Sequence, residues 1–435
     1  MSWSDEERSE ARGAWFFLFL RRGWWFSRIN EYFHCFNLFR NTFLLNLNMN
    51  LLNRNIKAFN LIFILILCSS LPSYSQQAGL QGKGKIVLEP FLYGAVQLTG
   101  GPLRLQLDEV KSYYLAIPND DLLKGFRKRM NFPTWGARDL GGWYTADIFN
   151  VFGQIVGGLS RLYAVTGDEA CREKVNALIK GWAQCIDSTG YFFYSANAGA
   201  AHYVYEKMVG GLLDAYQFVH NKEALSYLSI ITDWSIKNLS RDRQHTMEWY
   251  TLTENLYRAY LITDDKKYLD FGNEWEYHSY WNALRDQKDV LKPGTNYIEN
   301  VHAYSHLNTL SGAAEAYLVK GNEGYKATII NGYDFFTNGQ CFVTGGFGIT
   351  EFLTSKAEQI NALRGNHKSF ETQCGSWAAF KLCKYLLMIT GNAKYGDWVE
   401  KLMINGIGAS IPMSPDGKVF YYSDYNTREG MKENI

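Results

Sequence analysis

One pattern recurs along the chain: an apolar stretch, a short polar turn, then an aromatic or apolar residue three positions later. It occurs at Thr166-Gly167-Asp168, Thr263-Asp264-Asp265, Lys320-Gly321-Asn322 and Thr390-Gly391-Asn392, with a fainter copy between Tyr216 and Leu225. In each copy Gly or Asp ends one helix, and the next Asp or Asn caps the free backbone donors of the following one. The copies therefore predict helical hairpins. Turn positions 166, 220, 263, 320 and 390 are spaced by 54, 43, 57 and 70 residues, which suits one hairpin per repeat with loop insertions of varying length. Such hairpins stack as an open solenoid or close into an (α/α)6 toroid. Aromatic, Gly-interrupted helix starts such as Gly141-Gly142-Trp143-Tyr144 favour the toroid.

The predicted class is all-α, an (α/α)6 barrel over residues 111–412 with short β segments at its start and end. Alternating apolar patches between Ile86 and Leu107, broken by Gly100, Gly101 and Pro102, predict one or two strands in a lead-in at 76–110. Residues 413–435 read as the start of a truncated β region.

Ahead of the lead-in, residues 1–48 crowd Trp3, Trp15, Trp24 and Trp25 among Arg and Glu with neither periodicity. They read as translated upstream sequence before a start at Met49. From there Arg54 and Lys57, the apolar run from Leu61 to Cys68, and Ser73-Tyr74-Ser75 make a signal peptide over 49–75, with the mature chain starting near Gln76. The run is about half a membrane span, so no stable span is expected after cleavage. Leu67 stands where a lipoprotein signal wants a small residue, which disfavours anchoring through Cys68. The expected location is secreted or periplasmic.

Composition narrows the partners. The 435 residues are 47% hydrophobic with only 8 Pro, enough to bury a large core. Lys+Arg 44 against Asp+Glu 43 leaves no electrostatic footprint for nucleic acid or an anionic membrane, so neutral substrates fit better. The aromatic share of 16% suits stacking on sugar rings as well as core packing. Seven cysteines without a CxxC pair make neither a disulfide scaffold nor a complete zinc ribbon.

Five stretches carry candidate chemistry. Thr344-Gly345-Gly346-Phe347-Gly348-Ile349-Thr350-Glu351 lacks the Gly-Lys-Ser/Thr ending of a phosphate loop and reads as a cleft loop presenting Glu351, or as a surface turn before a solvated Glu. Phe370-Glu371-Thr372-Gln373-Cys374 opens a predicted helix on which Glu371 and Cys374 share a face, either half of a tetrahedral zinc site or a buried Cys beside a first-turn Glu. His302 and His306, with Asn308 beyond, sit at another helix start; they lack the Glu of a zincin and suit sugar hydroxyls, or a capped helix start. Glu206 and the pair Tyr250 and Glu254 belong to further helix starts that combine aromatics with a carboxylate, the pattern of a carbohydrate cleft or of core and surface.

Taken in order, Gln97-Leu98-Thr99-Gly100-Gly101-Pro102-Leu103, Leu122-Leu123 with Phe126-Arg127, Gly142-Trp143, Gly210-Gly211-Leu212-Leu213-Asp214-Ala215, Ser305-His306-Leu307-Asn308, the glycine loop and the run from Phe370 to Leu382 resemble glycoside hydrolase family 127, the β-L-arabinofuranosidase family. The resemblance covers residues 85–426. It implies an (α/α)6 barrel followed by β-sandwich domains and an exo-acting, retaining glycosidase. It further implies a cysteine thiolate nucleophile held on zinc by one Glu and further cysteines, with a separate Glu as acid/base. Glu371 and Cys374 match the Glu and first Cys of the zinc site, Glu351 the acid/base and His306 a sugar-binding His; Trp143, Glu206, Tyr250, Glu254, His302 and Asn308 are the further substrate-binding candidates.

Three departures accompany it. Two residues separate Glu371 from Cys374 where one is usual, and Lys207 follows Glu206 where related sequences often have His. The family's paired cysteines, nucleophile included, follow the stretch Phe420 to Asn426, and no cysteine follows it here. The expectation is an incomplete zinc site and an inactive chain. A non-catalytic carbohydrate-binding remnant and a toroidal polysaccharide lyase are the alternatives, the lyase opposed by the near-zero charge.

Overall fold

The predicted turns share one geometry. Gly167, Asp264, Gly321 and Gly391 all adopt the left-handed conformation, with φ of 67°, 59°, 70° and 69°, and His220 does so in the fainter copy with φ 60°. The residue after each of the first four turns a helix on: Asp168, Asp265, Asn322 and Asn392 accept the amide two positions ahead at 2.8–3.1 Å. Where a Thr precedes, its hydroxyl donates back to the carbonyl four residues earlier and accepts the cap residue's own amide. Each cap of this type contributes about 1 kcal/mol.

The computed structural model describes residues 82–145, 150–241, 248–365, 370–410, 413–414, 419–423 and 431–433; the upstream segment and the signal region with Cys68 lie outside them. Helices α1 (Gly101–Ala116), α2 (Asn119–Arg129) and the short α3 (Gly142–Thr145) come first. Hairpins follow: α4 (Phe152–Thr166) with α5 (Glu169–Ala183), α6 (Ala201–Asp214) with α7 (Glu223–Asn238), and α8 (Leu252–Thr263) with α9 (Lys266–Glu274) and α10 (His278–Arg285). Then come α11 (Ala303–Lys320) with α12 (Glu323–Phe335), a separate α13 (Lys356–Gly365), and α14 (Gln373–Thr390) with α15 (Gly396–Leu402). Helices α4, α6, α8, α11 and α14 pack side by side in that order. A single cavity is lined by α4, α6, α8 and α14, so the row curves back on itself. That closure makes a barrel and excludes an open solenoid.

Among the described residues the core takes up much of the aromatic content. Trp182, Trp275, Trp281, Tyr205, Tyr250 and Tyr257 are fully buried. Helices α4 and α6 approach until a Cβ on Gly153 would stand 2.3 Å from the Lys207 carbonyl, so only glycine fits there.

The lead-in corrects the strand expectation. Residues 101–116 are helical, because Pro102 sits in the first turn, where its missing N–H and fixed φ suit a helix. Val87 and Leu88 give their amides to the Met388 carbonyl near the end of α14, so their apolar side chains cross a helix terminus. At the other end, β1 (Phe370–Glu371), β2 (Val419–Ser423) and β3 (Met431–Glu433) form an antiparallel sheet in that order. Glu371 therefore precedes α14 on a strand, and Cys374 lies in the helix's first turn. The shared helix face predicted for them is replaced by a strand-to-helix corner.

Candidate active site

A cavity of about 360 Å³ opens where α6, α8, α11 and α14 begin. Trp143, Tyr203, Tyr250, Tyr304, Phe352 and Tyr421 form its aromatic walls. Its polar lining is Glu248, Asn300, His302, Glu351, Glu371 and Cys374. Of the residues singled out from sequence, Trp143, Tyr250, His302, Glu351, Glu371 and Cys374 are brought together here.

The glycine loop is what delivers Glu351. Gly345 and Gly348 have φ of 90° and 85°, and a Cβ on Gly346 would stand 2.2 Å from the Phe370 ring. The loop ends in a tight hairpin in which Phe352 bonds back to the Ile349 carbonyl at 2.9 Å. Thr350 and Glu351 at its tip have φ of 52° and 73°, the arrangement of a type I′ turn. The hairpin is tied to the start of α11, for the Glu351 carbonyl accepts the Ala303 amide at 2.7 Å and the Leu353 amide donates to Val301. The half-buried Glu351 carboxylate accepts the Tyr422 hydroxyl at 2.7 Å.

Facing it, Glu371 is 2% exposed. Its Oε1 accepts the Tyr421 hydroxyl at 2.7 Å, while its buried Oε2 has no partner among the described residues. Burial, opposed by the His302 charge and the Tyr421 bond, pushes this carboxyl up to about 7. Burial and the adjoining Glu371 push the Cys374 thiol well up. The Tyr421 hydroxyl also stands 3.8 Å from the Cys374 sulfur.

The third group is His302 with Glu248, whose Oε1 lies 2.9 Å from His302 Nδ1. Burial works against the imidazolium, but Glu248 outweighs it and the ring is raised to about 9. His302 is therefore a cation at neutral pH, placed among three carboxylates.

Zinc was the expected cofactor. A thiol and an orphaned carboxylate oxygen side by side are donors of the right type, but among the described residues no group of three or more His, Cys, Asp or Glu is arranged to hold a metal. Two donors do not close a tetrahedral set.

Four expected sugar contacts do not reach this cavity. His306 is fully buried behind it, its Nδ1 donating to the His302 carbonyl at 2.8 Å and its ring packed on Tyr250 and Tyr280. Burial lowers it to about 4, so it stays neutral and holds the backbone that carries His302. Asn308 lies one turn below Tyr304, its side chain 3.4 Å from the Tyr304 hydroxyl. Glu206 and Glu254 are buried against Lys207 and Lys381 and line a deeper chamber. Helical spacing explains all four, because each follows a cavity-lining residue by about one turn: His306 after His302, Asn308 after Tyr304, Glu254 after Tyr250 and Glu206 after Tyr203.

Sequence reading missed Glu248, Tyr203, Asn300, Tyr304 and Tyr421. Glu248 flanks the same Trp249-Tyr250 pair as Glu254, on the side that faces the mouth. Tyr421 lies within the Phe420–Asn426 stretch already noted, with no charge to mark it as functional.

The family profile described as "Beta-L-arabinofuranosidase, GH127 catalytic domain" matches residues 95–431. No curated protein matches the sequence. Two solved structures share the fold. One is a GH127 β-arabinofuranosidase, with 17% identity, TM-score 0.56, and coverage of 78% of this chain and 56% of the other. The second is a GH127 β-L-arabinofuranosidase from Geobacillus stearothermophilus T6, with 15% identity, TM-score 0.55, and coverage of 76% and 58%. The chain thus spans less than two thirds of either protein's length. With the glycine loop, the strand-to-helix corner and the barrel all inside the matched region, the chain belongs to glycoside hydrolase family 127, the β-L-arabinofuranosidase family.

Proposed function

We propose that the cavity binds the terminal β-L-arabinofuranose, or a closely related sugar, of a plant-type glycan, and that Glu351 is its proton donor and acceptor. The observation that carries this reading is Glu351 and Cys374 lining one aromatic-walled cavity of about 360 Å³. Aromatic faces pack on the apolar faces of a sugar ring, while Asn300, Glu248 and His302 supply polar contacts for its hydroxyls. Tyr422 occupies one oxygen of Glu351, which leaves the other to carry a proton to the leaving oxygen and later to take one from water.

In a retaining mechanism a nucleophile attacks from the side opposite the acid. Glu371 and Cys374 stand ready as two zinc donors, and the thiolate that attacks is proposed to come from the family's paired cysteines, absent from these 435 residues. The chain as it stands is proposed to bind zinc weakly and to hydrolyse negligibly, because metal affinity of structural strength belongs to complete ligand sets. The lyase reading is opposed by the lining of the cavity itself, where among the described residues His302 is the one cationic side chain against Glu248, Glu351 and Glu371, and a carbohydrate-binding remnant differs from the proposal only in what an extended chain would do. We further propose export through the 49–75 segment, for which amino-terminal sequencing of secreted protein should begin near Gln76.

The test is calorimetric and kinetic. The chain should bind an aryl β-L-arabinofuranoside more tightly than its α-anomer, and Glu351→Gln should keep that binding. A version extended by two cysteines beyond the β2–β3 region should gain turnover that Glu351→Gln removes. Failure to bind either anomer would overturn the substrate reading, and equal turnover with and without the extension would overturn the account of the nucleophile.

A further inference from the structure

Below the candidate site lies a second chamber of about 350 Å³ on the barrel axis. Lys381 follows Cys374 on α14 at a distance of about 10 Å along the helix, taking 1.5 Å per residue, so the chamber is a deeper compartment. Tyr203 and Tyr304 face the upper cavity, whereas Lys207 and Trp377 face the lower one. Lys207 closes the partition, donating to the Tyr304 hydroxyl at 2.9 Å and lying 4.6 Å and 5.0 Å from the Tyr203 and Trp377 ring centres.

The charged lining is Arg161, Lys207, Arg258 and Lys381 against Glu206, Asp214 and Glu254. Every carboxylate oxygen among these is already engaged. Asp214 takes Arg161 Nε and Arg258 Nη2, each at 2.8 Å. Glu254 takes Lys381 and the Tyr385 hydroxyl; Glu206 Oε1 takes Asn255 Nδ2 at 2.7 Å, while its Oε2 makes no hydrogen bond among the described residues but is ion-paired with Lys207 Nζ at 2.7 Å. The Asn255 carbonyl oxygen is used too, by Arg258 Nη1 at 2.8 Å.

Donors are not exhausted in the same way. Arg161 commits only its Nε among the described residues, so both of its terminal nitrogens remain available, and the side chain is 35% exposed, which keeps it reachable. Gly153, Gly157, Gly158, Gly210 and Gly211 leave the walls bare, and as helical residues they keep most of their carbonyls within the helices. A chamber with one more cation than anion, no free carboxylate oxygen and a half-used guanidinium fork calls for an acceptor-rich guest.

We propose that this lower chamber is a binding site for a small oxyanion, held in the fork of Arg161 with Lys381 opposite. The same chemistry is offered by inorganic phosphate and by the carboxylate of a small acid such as glucuronate, and the test separates the two.

The full chain is titrated with inorganic phosphate, and separately with glucuronate, by calorimetry at low ionic strength, with thermal melts in parallel. One saturable site is expected, with a melting temperature that rises with ligand concentration. Arg161→Gln should weaken binding by about tenfold or more, since it removes a hydrogen-bonded charge; Asp214 keeps Arg258 as its partner in that variant. If Arg161→Gln fails to fold, Gly158→Asp serves instead, because a Cβ there meets nothing within 4 Å. That variant sets a carboxylate one turn before Arg161 and should abolish binding. Saturation by phosphate only assigns an inorganic oxyanion, and saturation by glucuronate assigns a carboxylate; both support the site. No saturable binding of either probe, or unchanged affinity in the variants, overturns it. Hydrolysis is not read, so the result stands apart from the glycosidase reading.

Discussion

Tyr421 and Tyr422 are consecutive residues of one strand, yet their hydroxyls donate to two different carboxylates beside one cavity, Glu371 and Glu351, each at 2.7 Å. Neighbours on a regular strand point to opposite faces. Here the pairing of β2 with β3 slips between Phe420 and Tyr422, and such a bulge brings two successive side chains to one side. The same strand pairs its backbone with Glu371, so β2 holds the two carboxyl groups in a fixed relation.

The two bonds are unequal in consequence. Tyr421→Phe leaves Glu371, which is 2% exposed, with neither oxygen satisfied. It should lower unfolding free energy by about 1–3 kcal/mol. Glu351 is half-buried and can take water in place of Tyr422, so Tyr422→Phe should cost less than about 1 kcal/mol. Denaturant melts of both variants check this, and a larger loss for Tyr422→Phe would contradict the burial argument.

Deeper in the barrel, Glu315 is 5% exposed and accepts the Tyr385 hydroxyl at 2.6 Å. Burial, only partly offset by that bond and by Arg258, raises it from 4.5 to about 7. The native state therefore holds this proton more tightly than the unfolded chain does. The resulting stability is full below pH 4.5 and is lost as pH rises through about 7. Glu315→Gln mimics the protonated form, so its stability relative to the parent should rise from pH 5 to pH 8, by at most about 3 kcal/mol. A gap between the two proteins that is the same at both pH values would sink this reading.

At the hairpin tip, Thr350 holds φ at 52°, a conformation that is a true outlier for a β-branched side chain. Asn enters this region more readily. Thr350→Asn should raise unfolding free energy by about 1 kcal/mol without changing sugar binding. A lower melting temperature in the variant would show that the Thr side chain holds the turn in some other way.

The hairpin repeat was legible because its chemistry is local. A Gly or Asp that must turn left-handed and an Asp or Asn that caps the amide two residues ahead act within five residues, and the helices at 166, 263, 320 and 390 obey them. The glycine loop before Glu351 was legible for the same reason. Residues 86–107 misled because alternating apolar residues look alike whether they pair in a sheet or cross helix ends, and only the Met388 carbonyl decided between the two.

Which candidates meet at the mouth depended on depth along the inner helices, and sequence spacing does not show where a helix begins relative to its neighbours. His306, Asn308, Glu206 and Glu254 carry the right chemistry but lie a turn or more too deep, whereas Glu248 and Tyr421 stand at the rim. The amino-acid sequence by itself determined the family, the helical hairpins and the identity of Glu351, Glu371 and Cys374 as candidates, since these rest on local turn chemistry and ordered motifs. Tertiary structure decided which carboxylates face one another, because barrel closure and the bulge in β2 join segments far apart in sequence through contacts such as Tyr422 to Glu351, 71 residues apart, which no local rule encodes.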